Sequence, residues 1–290
     1  MGNPQQTVLI TGATDGLGRA AALLLAEKGF RIFAAGRSAE KRAELDRLAV
    51  TRKLPLESVE LDVCDDTSVT RAVQQIQQKA GNIDVLINNA GVGLMAIAEE
   101  LKLEDLRRLY ETNIFGLLRV TQAVLPRMRE RKSGRILMLS SVAGILTPPT
   151  YGAYSSSKHA VEALSNALRL ELYPFNVEVI LIEPGYIMTN FQQTAKDQAQ
   201  SYIEGSAASP YAKIYAGAIA GATSSRRQSK TTPEDCARVI LHAIEASHPK
   251  ARYTVTPLAK WAAFGRRILP DTLMDSFLRR KFGIVREEED

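Results

Sequence analysis

The chain has 290 residues, 45% hydrophobic and 24% charged, enough for a full core in one large α/β domain or two smaller ones. No apolar run is long enough to span a bilayer, and Cys64 and Cys236, the only cysteines, lie too far apart in sequence to imply a disulfide framework. The net charge of +5 is concentrated between Lys250 and Gly283, where eight Lys/Arg face two Asp/Glu; the body is nearly neutral and carries no nucleic-acid motif, so no nucleic-acid partner is expected.

Thr7-Val8-Leu9-Ile10 is a short apolar run that reads as a buried strand. It ends in Thr11-Gly12-Ala13-Thr14-Asp15-Gly16-Leu17-Gly18, and Arg19 to Lys28 follows as a helix stopped by Gly29. A strand, a glycine-rich turn and a helix start make a phosphate site, because glycines admit the ligand to the backbone and free N–H groups face the anion. The spacing is G-x-x-x-G-x-G rather than G-x-G-x-x-G, and a plain glycine turn is the competing reading. Arg31 to Gly36 is a second strand, followed directly by Arg37-Ser38. NAD-binding units place an acidic residue here for the ribose 2′-hydroxyl; an arginine suits a 2′-phosphate, so the position favours NADP(H), with NAD(H) left open.

Ala39 to Val50 reads as a helix and Leu56 to Val63 as a strand ending in Asp62-Val63; Thr67 to Ala80 is a further helix capped by Asp65 or Asp66. Asp62, at a strand end, is placed for an adenine contact or a plain turn. Ile83 to Ile87 is a fourth strand running into Asn88-Asn89-Ala90-Gly91, and Glu99 to Arg131 is mostly helical and contains Asn113. Arg135 to Leu139 is a fifth strand that delivers Ser140 and Ser141, and Val177 to Ile182 a sixth that ends at Glu183-Pro184-Gly185. The alternation predicts one doubly wound parallel sheet.

Between the last two strands, Tyr154 to Tyr173 has apolar residues at helical spacing. Tyr154 and Lys158, four apart, share one face. A cation beside a phenol favours the phenolate, so Tyr154 is expected to ionise more easily than an ordinary tyrosine and to pass a proton to or from an alcohol or carbonyl oxygen.

Together, Thr11-Gly12-x-x-x-Gly16-x-Gly18, Asn88-Asn89-Ala90-Gly91, Asn113, Ser141, Tyr154-x-x-x-Lys158 and Pro184-Gly185 resemble the short-chain dehydrogenase/reductase family over nearly the whole chain. The resemblance implies one Rossmann-type domain with a seven-stranded sheet, residues 1–256, whose last strand is Arg252 to Thr256. It implies that Tyr154 is the acid/base, Ser141 a hydrogen-bond donor to the reacting oxygen, Lys158 a ligand of the nicotinamide ribose, and Asn113 the holder of a relay water. By the same resemblance Gly12, Gly16, Leu17 and Gly18 line the diphosphate and Asp62 and Val63 the adenine. Asn89 belongs to the adenosine side, with Thr14, Arg37, Ser38 and Gly91 also in the dinucleotide site, and Ile187 and Thr189 hold the carboxamide. A homo-oligomer formed through the helices of Asn113 and Tyr154 is implied as well.

Residues 190–230 turn polar and rich in Ala, Gly and Ser, with Tyr202, Ile203, Tyr211, Ile214 and Tyr215 among them. They read as a mobile lid over an apolar pocket, or as short helices packed on the body. Thr231-Thr232-Pro233-Glu234 caps a helix to about Ala246. In the extension, 257–290, Leu258, Trp261, Ala262, Gly265, Ile268 and Leu269 mark one amphipathic helix. Leu273, Met274, Phe277 and Leu278 mark a second, with Arg266, Arg267, Arg279 and Arg280 on the polar faces. Such a tail could lie on a membrane or close the pocket; it resembles members acting on retinoids, steroids or lipid ketones, and so implies a lipophilic substrate.

The expectation is therefore an NADP(H)-dependent oxidoreductase in the cytoplasm; the N-terminus has no basic region before an apolar core, and Gln6 stands where a myristoylation signal needs Ser or Thr. A cofactor-binding regulator would not need Asn113, Ser141, Tyr154 and Lys158 together. A serine hydrolase lacks its G-x-S-x-G elbow, and no His or Cys pair has metal-ligand spacing, so no metal is expected.

Overall fold

Strands alternate with helices in chain order: β1 (Thr7–Ile10), α1 (Gly16–Glu27), β2 (Arg31–Gly36), α2 (Ala39–Arg52), β3 (Leu56–Glu60), α3 (Asp66–Ala80) and β4 (Val85–Asn88). Then come α4 (Leu103–Tyr110), α5 (Leu117–Arg131), β5 (Gly134–Leu139), α6 (Gly152–Glu171), β6 (Val177–Glu183), α7 (Phe191–Gln198), α8 (Gln200–Gly205) and α9 (Ala212–Gln228). The chain closes with α10 (Pro233–Glu245), β7 (Arg252–Thr254), α11 (Pro257–Ile268) and α12 (Asp271–Phe282). This computed structural model describes residues 5–187, 189, 191–228 and 230–284, without the side chains of residues 192, 222, 225–228 and 267. The Met1-Gly2 start, Asn190 at the head of the expected lid, the Arg267 side chain and residues 285–290 of the expected extension lie outside the described residues.

The seven strands form one parallel sheet in the order β3-β2-β1-β4-β5-β6-β7. Successive side chains of a strand point to opposite faces, and the sequence uses both. Leu9, Phe33, Leu86 and Ile136 pack on one face with Val120 of α5 and Val161 of α6. Val8, Ile10, Ile32, Ala34 and Ile87 pack on the other with Ala22 and Leu25 of α1 and Ile240 of α10. Because the strand order reverses between β1 and β4, a crevice opens beyond their C-terminal ends, where ligands of such sheets collect.

Two strands are shorter than their apolar runs. β3 stops at Glu60 because Asp62 turns the chain: its N–H donates to Ser68 Oγ at 3.0 Å and its Oδ1 accepts from Cys64 N at 2.9 Å. β7 stops at Thr254, and Thr256 instead caps α11, its Oγ1 accepting from Ala259 N at 3.1 Å. At the start of α10, Thr232 and Asp235 form a reciprocal capping box, with Pro233 and Glu234 in the first turn as expected.

Residues 191–228 are helical, and the scattered tyrosines are packing residues. Tyr202 and Tyr215 are buried with Leu94, Ala96, Leu109 and Ala153 in a third cluster above the sheet edge. The Tyr215 hydroxyl accepts from Ile97 N at 3.1 Å and donates to Glu100 Oε2 at 2.8 Å. Tyr202 bridges Lys102 N and Asp105, and Tyr211 reaches Glu99.

Candidate active site

The β1–α1 turn is set by glycine sterics. Gly12 and Gly16 have φ of +62° and +52°, a region that L side chains rarely adopt. A Cβ on Gly18 would lie 2.5 Å from Asn89 Nδ2 and would run into the Gly12 carbonyl. Asn89 holds this turn from β4: its Nδ2 donates to Thr11 O at 2.9 Å and to Gly12 O at 3.0 Å. The Nδ2 of the asparagine expected on the adenosine side thus braces the glycine turn. Thr14 fills the space beside Gly36, where any side chain would collide with it. Asp15 caps α1, accepting from Gly16 N at 2.7 Å, which leaves the N–H groups of Leu17 and Gly18 with no acceptor inside the helix.

The end of β2 gathers cations. Arg37 lies 3.7 Å from Asp62 and is largely exposed, while Ser38 caps α2 by accepting from Lys41 N. Lys41, not singled out in the sequence, reaches back to Asp15 at 2.5 Å, so a basic side chain from α2 answers the acid in the glycine turn. Val63 packs under Gly116, whose missing side chain allows the approach. Across the crevice, Ile187 is buried and Thr189 stands over the glycine turn, its Cβ 3.5 Å from where a Gly16 Cβ would be. These surroundings fit a dinucleotide: the β1–α1 turn carries no side chain at Gly12, Gly16 or Gly18, and a helix start faces the anion.

The residues expected to form the acid/base set, Asn113, Ser141, Tyr154 and Lys158, converge at the ends of β4 and β5. Asn113 sits in a π-helical turn, Glu111–Gly116, between α4 and α5. Its Oδ1 accepts from Val92 N at 2.8 Å, and its Nδ2 donates to Val92 O and to Ser157 Oγ, both at 3.0 Å. Ser157 Oγ in turn donates to the Tyr154 carbonyl at 2.7 Å, tying the π turn to α6. Gly91 fits against the Asn113 amide, where a Cβ would come within 3.2 Å of Oδ1 and 3.8 Å of Lys158 Nζ. Ser141 caps the short turn Val142–Gly144 and also hydrogen-bonds the Tyr154 hydroxyl.

Lys158 is buried, donates to Leu139 O at 2.8 Å, and has its Nζ 5.8 Å from the centroid of the Tyr154 ring. The expectation that Tyr154 ionises easily needs correction for the chain by itself. Burial pushes the phenol well above its ordinary range; the Ser141 hydrogen bond opposes this only in part. Burial likewise lowers Lys158 to about 8, against the pull of Glu162 one turn further along α6. The sequence reading placed the cation correctly and left out the desolvation of both groups. It also missed Glu162, although its i, i+4 spacing from Lys158 was there to be read. Glu162 and Glu183 both pair with Arg252.

Around the phenol the walls are apolar. The Phe191 ring lies 5.7 Å and the Tyr151 ring 6.5 Å from that of Tyr154, with Leu94, Val92 and Ala143 in the same cluster. A separate cleft of about 350 Å³, lined by Glu100, Lys102, Tyr202 and Ser209, shares no residue with this set. Among the described residues no group of acidic, His or Cys side chains could hold a metal ion, and no helix is long and apolar enough to cross a membrane.

Comparison with known proteins agrees with this geometry. A family model described as short chain dehydrogenase matches residues 6–200. A 3-ketodihydrosphingosine reductase of Bacteroides thetaiotaomicron is 33% identical, over 96% of this chain and 98% of its own. An NADPH-dependent 3-dehydrocapnine reductase of Ornithobacterium rhinotracheale is 32% identical, with 97% and 98% covered. Among solved structures, a short-chain dehydrogenase from Streptomyces avermitilis superposes with a TM-score of 0.76 at 28% identity, over 97% of this chain and 100% of that one.

Proposed function

Because the chain belongs to the short-chain dehydrogenase/reductase family, and is an NAD(P)-dependent oxidoreductase, we propose that it interconverts a lipophilic ketone or aldehyde and its alcohol, with NADP(H) as preferred dinucleotide and Tyr154 as acid/base. One observation carries the reading. A buried phenol, hydrogen-bonded to Ser141, lies one helical turn from a buried ammonium that reaches Leu139 at the end of β5 and approaches Gly91, two residues past the asparagine that braces the glycine turn.

The bound nicotinamide supplies or accepts the hydride. Tyr154, kept protonated at neutral pH by its burial, is in the state that donates to a carbonyl oxygen being reduced. Ser141 donates to the same oxygen and so stabilises the charge that builds there. Lys158 would hold the nicotinamide ribose hydroxyls, its ammonium fixed by the Leu139 carbonyl. Asn113, locked by Val92 and Ser157, positions the water through which the proton is replaced. Leu17, Gly18 and the turn before them take the diphosphate, Asp62 and Val63 the adenine, and Ile187 and Thr189 the carboxamide.

Preference for the 2′-phosphate is supported by Arg37 and Ser38, with Lys41 neutralising Asp15 beside them. A lipophilic substrate is supported by Val92, Leu94, Tyr151 and Phe191 around the phenol, with residues 191–228 as its cover. Both reductases named above carry a keto or dehydro carbon in their names, which suits this chemistry. Phe115, Leu170 and Tyr173, exposed on or next to the helices of Asn113 and Tyr154, suit a homo-oligomer formed there.

The test is Tyr154→Phe, assayed with a panel of long-chain ketones and aldehydes with NADPH and with NADH. The variant is expected to lose about a hundred- to ten-thousandfold in kcat while its NADPH affinity stays within about twofold. Full turnover in the variant would end the proposal.

A further inference from the structure

Seven of the twelve large hydrophobic residues that are exposed among the described residues fall within residues 258–277. Elsewhere exposed apolar residues are scattered, as on any protein surface; here they form a face. The helix α11 is built inside out. Ala259 and Ala262 are its buried residues, packed toward the Ser141 turn and β7, while Leu258, Trp261, Phe264 and Ile268 face outward at spacings of three, three and four. Trp261 is 72% exposed, and its ring meets Phe264 edge to face at 6.3 Å.

α12 continues the pattern. Met274 and Phe282 are its buried anchors, with Phe282 seated on Gly217 and Gly221 of α9, and Leu273 and Phe277 are left more than half exposed. Both helices are therefore firmly docked by their small or inner residues, and the outward ridge is not needed to hold them.

Charge flanks this ridge. Residues 257–284 carry six Lys/Arg and two Asp, and Asp271 is taken by Arg266. Among the described residues no carboxylate pairs with Lys260, Arg279, Arg280 or Lys281, all of them exposed.

We propose that the outer face of α11 and α12 docks on an anionic lipid bilayer, with Trp261, Phe264, Ile268, Leu273 and Phe277 among the acyl chains and Lys260, Arg279, Arg280 and Lys281 at the headgroup phosphates. An aromatic and aliphatic stripe beside unpaired cations is the composition that an interfacial helix needs. The complement of charge favours lipid phosphate over a neutral protein surface. Since the inner face of α11 lies on the turn that begins at Ser141, docking would hold the active-site edge next to the lipid.

Trp261 is the only tryptophan in the chain, so its fluorescence reports on this face alone. The full chain, with the acidic residues Glu287 to Asp290 present, is titrated with vesicles of phosphatidylcholine and phosphatidylglycerol at three to one. A blue shift, quenching by brominated acyl chains and co-sedimentation are expected. Phe264→Ser with Phe277→Ser should reduce vesicle affinity about tenfold or more, and Lys260→Glu with Arg280→Glu should reduce it to the level of phosphatidylcholine alone. NADPH affinity should be unchanged in both, which certifies the fold and separates this test from that of the activity. Emission unmoved by millimolar lipid would overturn the proposal, as would equal binding to phosphatidylcholine alone. A blue shift that follows protein concentration without lipid, and is lost in the double serine variant, would assign the face to a second copy of the chain and overturn it too.

Discussion

The turn Gly12–Gly18 and the helices of residues 191–228 both reach the crevice beyond the sheet, yet they are held there by different means. The turn is fixed by backbone sterics: two left-handed glycines and a third with no room for a methyl group. The helices are fixed by side chains, three tyrosine hydroxyls set on Glu99, Glu100 and Asp105. A backbone constraint is all or none, whereas hydroxyl tethers can be lost one at a time. The part proposed to hold the dinucleotide is therefore rigid, and the part proposed to cover the substrate can be adjusted without disturbing it.

The sharpest way to break this contrast is Gly18→Ala. The added methyl has no space, and about 3 kcal/mol of overpacking corresponds to about a hundredfold loss of NADPH affinity by calorimetric titration. Near-normal binding would mean that the turn is softer than its geometry implies. Arg37→Ala should act only on the phosphate: about a twentyfold loss of NADPH affinity from one charge-assisted hydrogen-bond partner, with NADH affinity unchanged.

A smaller effect comes from Lys158. Its pKa is lowered in the fold to about 8, from 10.5, so the unfolded chain binds the proton more readily. Stability of the free protein from this group therefore falls as pH drops from 10.5 to about 8 and is level below that. If Lys158 holds the ribose as an ammonium, as proposed, the NADPH dissociation constant should rise above pH 8 by up to about tenfold per unit, and Lys158→Arg should flatten that slope. A slope equally steep in the arginine variant would assign it to another group.

The smallest effect tests the soft side. Tyr215→Phe leaves Ile97 N–H and Glu100 Oε2 without this hydroxyl, while Glu100 keeps Ser209, and should cost about 1 kcal/mol, roughly 2–4 °C in melting temperature. Substrate KM should rise a few-fold while NADPH affinity stays put. Loss of dinucleotide binding in this variant would show that the two regions are not independent.

Most of the rigid side was legible in the sequence, because strand runs, glycine spacing and a Ser–Tyr–Lys order are local properties. Arg37 and Asp62 could be placed at strand ends by the same reasoning. What was not legible depends on neighbours distant in the chain. Lys41 over Asp15, the Asn89 amide turned onto the glycine loop, and the tyrosines of residues 191–228 serving as tethers all need the fold to bring their partners near. The Tyr154 pKa was misjudged for the same reason: proximity of Lys158 is visible in a spacing, but the burial of both is not.

The π-helical turn that carries Asn113 inserts one surplus residue into what would otherwise be a continuous helix from Leu103 to Arg131. Its two arms are thereby rotated out of phase by about 100°, so that Leu109 seats in the cluster above the sheet edge while Leu117 and Val120 seat on the sheet face. Excising a residue beside Asn113 from Glu111–Gly116 would restore an α-helical ladder, but could serve only one of those two seats and would swing Asn113 out of line with Ser157. An unbroken helix and the Asn113–Ser157 contact are thus mutually exclusive solutions for this stretch, and the chain has kept the contact.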